Sequence, residues 1–114
     1  MDLLVWQRAI ELSVAVYRLT MSFPKSETFG LVNQLRRASV SVASNIAEGY
    51  GRTTKGEYLL FLGNARGSNC EVQTQLVLSG ALGFATDEER RRAEGLALEI
   101  SRMLGKMIGT LCRA

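Results

Sequence analysis

Residues 31–51 read LVNQLRRASVSVASNIAEGYG, and this stretch decides the fold. Its apolar residues recur every three or four positions, the spacing of one face of an α-helix; they are Leu31, Leu35, Ala38, Val42 and Ile46. Gly49 and Gly51 follow, and glycine readily adopts the left-handed conformation that ends a helix. The stretch therefore predicts an amphipathic helix that buries one face against other helices.

A first helix precedes this stretch. Apolar residues keep helical spacing over residues 3–20, and Asp2 is the candidate N-cap. The helix ends before Pro24, because the residue before a proline avoids the α region and the ring cannot continue the hydrogen-bond ladder. We therefore expect the second helix to begin near Ser26 and to end near Glu48.

Two capping boxes mark the starts of two more helices. The segments 54–57 (TKGE) and 86–89 (TDEE) each place a threonine three positions before a glutamate, a pairing that satisfies free backbone N–H groups. A third helix follows toward Gly83, and a fourth carries a wide apolar stripe over residues 96–111. Four helices with short connections predict an all-α fold, an antiparallel up-down-up-down four-helix bundle, as a single domain over residues 1–114.

Composition narrows the class of protein. Hydrophobic residues make up 46% of the chain, which indicates a globular protein, and about 18 consecutive apolar residues, as a membrane span requires, occur nowhere. The first residues lack the basic region of a signal peptide, so we expect a cytoplasmic protein with no membrane partner. Cys70 and Cys112 are interpreted as small apolar residues rather than as a disulfide or metal ligands.

The chain offers little for catalysis. It contains no histidine, which removes the usual general base and a common metal ligand. A nuclease-like site with magnesium held by Glu48, Glu57 and Glu71 is the enzymatic hypothesis, but no nucleophile in the chain lies near an evident base. We therefore predict no catalytic residues, no metal, no cofactor and no enzymatic activity.

Polar side chains follow one face of the second helix and one face of the third. These side chains are Gln34, Arg37, Ser41, Asn45 and Glu48 on the second helix, and Asn64, Ser68, Glu71 and Gln75 on the third. On antiparallel neighbours the two faces could form one buried network, with Arg37 and Glu71 as its charge pair. The alternative is that both faces simply point to solvent.

Basic residues are the candidates for nucleic-acid binding. One group lies around the second and third helices and the other on the fourth: Arg36, Arg37, Arg52, Lys55 and Arg66, then Arg102, Lys106 and Arg113. Such side chains bind phosphate without sequence preference. The formal net charge of +3 permits this function, and the alternative is a charged face that only aids solubility.

Several glycines fall inside the predicted helices, where each costs ~1 kcal/mol relative to alanine. Gly63 and Gly67 are four residues apart, as are Gly105 and Gly109. We expect these pairs to permit close approach of another helix, within the bundle or from a neighbouring subunit.

A resemblance extends over nearly the whole chain. The motifs that carry it are Phe23-Pro24, Gly30-Leu31, the run Gln34 to Ala38, Ser44-Asn45-Ile46-Ala47-Glu48-Gly49, Gly51-Arg52, Gly67-Ser68, Glu71 and Gln75-Leu76. In these motifs the sequence resembles the bacterial four-helix bundle proteins called 23S rRNA intervening sequence proteins. That family is similar to the accessory proteins of diversity-generating retroelements, which form basic pentamers and associate with a reverse transcriptase and nucleic acid.

The resemblance implies an antiparallel four-helix bundle that assembles as a ring-shaped homopentamer. It also implies RNA, DNA or a nucleic-acid enzyme as a further partner. Two hypotheses follow from the residues and the resemblance together. In the first, the oligomer is a non-enzymatic accessory scaffold that binds nucleic acid through its basic residues. In the second, the motifs only build the bundle and the oligomer, and the partner is another protein.

Overall fold

The computed structural model describes residue 1 and residues 3–113, and these residues form four α-helices. The helices are α1 (Leu4–Thr20), α2 (Leu31–Tyr50), α3 (Lys55–Ala81) and α4 (Asp87–Arg113), with one 3-10 turn at Lys25–Glu27. No strand occurs among the described residues. The all-α fold class is therefore confirmed, whereas the candidate cap Asp2 lies outside the described residues.

The start of α2 differs from the prediction. Residues 25–27 form the 3-10 turn, and Gly30 is non-helical with φ −106° and ψ −112°, so that α2 begins at Leu31 rather than near Ser26. The Glu27 carboxylate accepts a hydrogen bond from the Leu31 N–H at 3.1 Å. An acidic side chain from the preceding turn thus satisfies one of the N–H groups that a helix start leaves without a backbone partner.

The starts of α3 and α4 that the capping boxes predict are confirmed, and the threonine hydroxyls supply the caps. Thr54 Oγ1 accepts from the Glu57 N–H at 3.2 Å and donates to the Glu57 carboxylate at 3.0 Å. Thr86 makes the same two contacts with Glu89, at 3.3 and 2.9 Å. At the other end of α3, Gly83 adopts φ 73° and ends the helix in the left-handed conformation.

Each helix packs against two of the other three. α1 and α3 each contact both α2 and α4, whereas α1 does not contact α3. Every helix places one apolar stripe in a common core, whose largest fully buried apolar side chains are Leu12, Val16, Leu19, Leu35, Val42, Ile46, Leu62, Val72, Leu76, Ile100 and Leu104. The described part measures 46 × 22 × 21 Å, and no helix within it is long and apolar enough to cross a membrane.

Burial along α4 decreases toward its end. Ala93, Ala97, Ile100 and Leu104 are each fully buried. The later apolar residues on the same stripe, including Met107, are only partly buried. The last turns of α4 are therefore packed on one side of the core rather than enclosed by it.

α2 and α3 approach each other closely at Gly49. A Cβ atom on Gly49 would lie 2.8 Å from the Cβ of Phe61 and 3.1 Å from the Tyr58 ring. By contrast, a Cβ on Gly63 or Gly67 would meet nothing within 4 Å. The expectation that these two glycines admit a helix of the same bundle is therefore wrong, and they face open space.

We predict that Gly49→Ala destabilises the fold even though alanine is the better helix former. The added methyl group overlaps Phe61 and Tyr58, and overpacking of this kind lowers the free energy of unfolding by about 1–3 kcal/mol. The matched control is Gly95→Ala, since a Cβ on Gly95 meets nothing within 4 Å. The control should raise the free energy of unfolding by up to ~1 kcal/mol. Urea denaturation followed by circular dichroism measures both, and equal effects of the two variants would contradict the prediction.

Candidate nucleic-acid interface

The structure places Arg36 between α1 and α2. Its Nε donates to Thr20 Oγ1 at 3.0 Å, and its guanidinium lies 4.6 Å from the centre of the Tyr17 ring. Thr20 is buried, and its hydroxyl in turn donates to the Val16 carbonyl at 2.7 Å. The donors and the stacking face of Arg36 are thus directed at the end of α1, which limits what this candidate can offer to a phosphate.

Arg52 has a comparable position between α2 and α3. Its guanidinium pairs with the Glu48 carboxylate, lies 3.7 Å from the Glu57 carboxylate and stacks 4.8 Å from the centre of the Phe61 ring. Two carboxylates therefore neutralise this cation where the two helices join. Arg36 and Arg52, two of the eight basic residues predicted to bind nucleic acid, therefore make contacts within the chain.

A polar groove separates α2 from α3. Gln34, Arg37, Ala38, Ser41, Ser68, Glu71 and Gln75 line this groove, whose volume is about 270 Å³. At its floor the hydroxyls of Ser41 and Ser68 are 2.8 Å apart, and Asn45 Nδ2 donates to the Ser41 carbonyl at 2.8 Å. Ser41 and Ser68 of the predicted network are therefore in contact across the two helices, whereas Asn45 bonds within α2.

The predicted buried charge pair is wrong. Arg37 and Glu71 are both exposed, and no ion pair joins them in the described part of the chain. Gln34 and Glu48 are exposed as well. A charged side chain at the rim of a groove keeps its hydration, so the buried contacts are made by the short serine and asparagine side chains.

Arg102 and Lys106 lie on the outward face of α4. Both are exposed. Arg91, eleven residues before Arg102, and Arg113, seven residues after Lys106, are exposed on the same face, because eleven and seven residues are close to whole numbers of helical turns. From α3, the Arg66 guanidinium reaches α4 and lies 3.8 Å from where a Cβ on Gly105 would be. We call Arg91, Arg102, Lys106 and Arg113 the α4 basic stripe, and Arg66 lies beside it. Lys55 is exposed at the start of α3, and it interacts within the chain.

Acidic residues near α4 are largely occupied by two other arginines. Arg90 binds Glu94 and Asp87, each at 3.0 Å, and Arg8 on α1 binds Glu99 at 2.9 Å and Glu11 at 2.8 Å. The hydrogen bond with Glu94 raises the pKa of Arg90, and the hydrogen bonds with Glu99 and then Glu11 raise the pKa of Arg8. Because Arg8 and Arg90 already neutralise these carboxylates, the carboxylates lower the positive potential of the α4 basic stripe less than their number suggests.

Aromatic side chains lie at the carboxyl-terminal end of the stripe. Tyr58 and Lys106 line a shallow groove of about 310 Å³ together with Met107, Thr110 and Leu111. Burial, and secondarily the nearby Tyr50, raises the pKa of Tyr58 above its usual range. Tyr50 itself is 58% exposed. An exposed ring beside cations is a surface on which a base can stack.

The structure gives no support to the magnesium hypothesis. Among the described residues, no three side chains of histidine, cysteine, aspartate or glutamate lie together as a metal site requires. Glu48 and Glu57 both contact Arg52, whereas Glu71 lines the polar groove farther along α3. The three carboxylates therefore do not converge on one position.

Sequence reasoning missed the buried amide of Asn69. Asn69 is fully buried, and its Nδ2 donates to the Ala97 carbonyl of α4 at 2.8 Å. The signal was available, because Asn69 falls between Ala65 and Val72 on the apolar stripe of α3. An amide at a core position of a helix indicates a contact with a neighbouring helix.

Comparison with known proteins agrees with this architecture. A family model described as 23S rRNA-intervening sequence protein matches residues 1–106. A crystal structure of a protein of unknown function from the S23 ribosomal protein family of Bacteroides thetaiotaomicron has a TM-score of 0.83 and 20% identity, and the match covers 92% of this chain and 98% of that one. Among curated proteins, none matches. At this identity the crystal structure shows the fold alone.

We predict that Arg52→Ala and Glu71→Ala differ in their effect on the isolated chain. Arg52→Ala removes two ion pairs and a cation–π contact and should lower the free energy of unfolding by about 1 kcal/mol. Glu71→Ala removes an exposed carboxylate and should change it by less than about 0.5 kcal/mol. Urea denaturation of dilute protein measures both. If Glu71→Ala lowered the free energy of unfolding by several kcal/mol, Glu71 would instead form the buried pair with Arg37.

Proposed function

The chain belongs to the 23S rRNA-intervening sequence protein family, and from this premise we propose that it is a non-enzymatic, oligomeric four-helix scaffold that binds RNA. Its contact surface is the α4 basic stripe with the adjacent Arg66. The scaffold holds RNA, or an enzyme already bound to nucleic acid, without transforming it. Its place of action is the bacterial cytoplasm.

The α4 basic stripe is the observation that carries this proposal. Arg91, Arg102, Lys106 and Arg113 are exposed on one face, and the neighbouring carboxylates Glu94 and Glu99 are bound by Arg90 and Arg8. From residue 91 to residue 113 the stripe spans about 33 Å of helix. Cations spread over that length follow a phosphate backbone rather than a single anion.

An alternating direction of the four helices supports this geometry. The connections 51–54 and 82–86 reach at most about 18 Å, whereas α3 is about 40 Å long, which favours opposite directions for α2 and α3 and for α3 and α4. With α1 beside α2 and α4, the topology that we propose is up-down-up-down. All of α4 then lies along the outside of the bundle, and its stripe is accessible over its full length.

Assembly strengthens the field at the stripe. Each chain has a formal charge of +3, and a ring of copies multiplies it. The family resemblance favours five copies. Several stripes in one particle give several simultaneous contacts to one RNA, so the affinity of the assembly exceeds that of one chain.

A structural oligomer without nucleic-acid binding is the second candidate. The internal contacts of Arg36 and Arg52 favour it, because these cations hold helices together instead of facing a ligand. In that case the partner is a protein. The two candidates differ in whether the exposed cations of α4 contribute to affinity for RNA.

We predict that the double variant Arg102→Glu/Lys106→Glu binds structured RNA more weakly than the unchanged protein. Each lost phosphate contact reduces the slope of log affinity against log salt by about 0.7–0.9. Fluorescence polarisation with labelled RNA at several salt concentrations measures the slope. The unchanged protein should bind at low salt and lose affinity steeply as salt rises.

The matched control is Lys25→Glu/Ser26→Glu/Thr28→Glu, which changes the net charge equally and replaces three exposed side chains outside α4. The control should retain most of the affinity, because the field of the α4 basic stripe is intact. Equal losses in both variants would assign binding to net charge alone. Absence of RNA binding by the unchanged protein at low salt would reject the first candidate and favour a protein partner.

A further inference from the structure

The last turns of α4 extend past the start of α1. These two helices are antiparallel, because Arg8 of α1 binds Glu99 whereas Arg18, farther along α1, lines a groove with Glu89. About 21 Å of α4 follow Glu99, but only about 6 Å of α1 precede Arg8. The end of α4 is therefore not packed along the length of α1.

A shallow groove lies on these last turns of α4. Lys106, Met107, Thr110 and Leu111 line it together with Tyr58 of α3, and its volume is about 310 Å³. Met107 and Leu111 are partly buried against the core, whereas Lys106 and Thr110 are exposed. We call it the Tyr58 groove. Its volume lies at the lower limit of ligand pockets, so it suits one small planar group rather than a helix.

Packing fixes the Tyr58 ring in this groove. A Cβ atom on Gly49 of α2 would lie 3.1 Å from the ring, so α2 supports the ring from one side. The ring is only partly buried, and the exposed Tyr50 lies nearby. Neither the Tyr58 hydroxyl nor the Thr110 hydroxyl forms a hydrogen bond within the described residues. The groove thus offers an aromatic face and two hydroxyl groups that are free to bond a ligand.

The Tyr58 groove lies beside the α4 basic stripe. Lys106 belongs to both, and Arg113 continues the stripe about two helical turns farther on. Neither cation forms an ion pair within the part of the chain that the structure describes. A phosphate backbone that is bound along the stripe therefore brings its bases to the groove.

An unpaired nucleobase matches the chemistry of the groove. Its faces stack on aromatic rings, and its polar edges form hydrogen bonds with groups such as hydroxyls. In a duplex the bases are stacked and paired, so none of them presents a face to Tyr58. Only a single strand can therefore place phosphates on the stripe and a base in the groove at the same time.

We propose that the scaffold selects single-stranded RNA and that one unpaired base inserts into the Tyr58 groove, while the flanking phosphates lie on Lys106 and Arg113. This inference rests on the proposed function and names the form of RNA that its surface takes. The stripe supplies affinity for any phosphate backbone, and the groove supplies the preference for an unpaired base. The contact lies within one chain and requires no particular arrangement of copies.

Two labelled strands with the same number of phosphates test the proposal by fluorescence polarisation. One strand carries a base at every position, and the other is abasic. The unchanged protein should bind the base-containing strand about 5- to 100-fold more tightly, which corresponds to stacking one base on an aromatic ring. Annealing a complementary strand should lower the affinity, although it adds phosphates. An affinity that rises on annealing would overturn the selection of single strands.

Variants of the groove locate the preference. Tyr58→Leu removes the ring and should abolish the difference between the two strands, whereas Tyr58→Phe keeps the ring and should retain the difference. Thr110→Glu places a carboxylate in the groove and should also abolish it. The matched control is Cys112→Glu, which adds the same charge at an exposed position about 200° around α4. The control should weaken the binding of both strands alike.

Folding is verified by circular dichroism and a thermal melt before binding is measured. The Tyr58 ring packs on Gly49, so Tyr58→Leu can destabilise the bundle. Thr110 is exposed, and Thr110→Glu decides the question if Tyr58→Leu does not fold. Sedimentation of Thr110→Glu should match that of the unchanged protein. A different mass would assign the groove to a contact between copies and overturn the inference.

A fluorescent purine analogue as the single base of an otherwise abasic strand reports stacking directly. Its fluorescence should fall on binding to the unchanged protein and to Tyr58→Phe, and it should stay constant with Tyr58→Leu. Equal binding of the base-containing and abasic strands would overturn this inference and leave the proposed function standing. If neither strand bound at low salt, both would be overturned.

Discussion

The contact between α2 and α3 constrains the rest of the bundle. The glycine at position 49 lets the two helices approach until its backbone touches Phe61, and the Ser41–Ser68 hydrogen bond maintains a short separation farther along. Once this pair is fixed, the apolar stripes of α2 and α3 face the same space. α1 and α4 then have one common core to cover, and both stripes are buried there.

An arginine lies on each of the four interfaces between neighbouring helices. Arg36 joins α1 to α2, Arg52 joins α2 to α3, Arg8 joins α1 to α4, and Arg90 on α4 lies against Gly80 of α3. The planar guanidinium suits this position, because it stacks on a ring and donates several hydrogen bonds at once. The chain therefore divides its cations between those that fasten helices and those that remain exposed.

The sequence predicts the helices better than the contacts between them. The apolar spacing and the capping boxes locate α3 and α4, because these signals are local. The late start of α2 depends on the Glu27 carboxylate, and the roles of Arg36 and Arg52 depend on partners from other helices. No spacing rule distinguishes an arginine that fastens two helices from one that faces solvent. The candidate site was therefore only partly predictable. Arg37 and Glu71 illustrate this, because their spacing predicted a buried pair and both side chains are exposed.

The decrease in burial along α4 after Leu104 has a dynamic consequence. Amide hydrogens in the fully enclosed turns exchange with solvent only when much of the bundle opens, whereas those in the last turns exchange through local fraying. Lys106 and Arg113 belong to these last turns. The end of the helix can thus adjust its path to the shape of a bound molecule while the core remains closed. A rigid core and an adaptable surface are then properties of different segments of one helix.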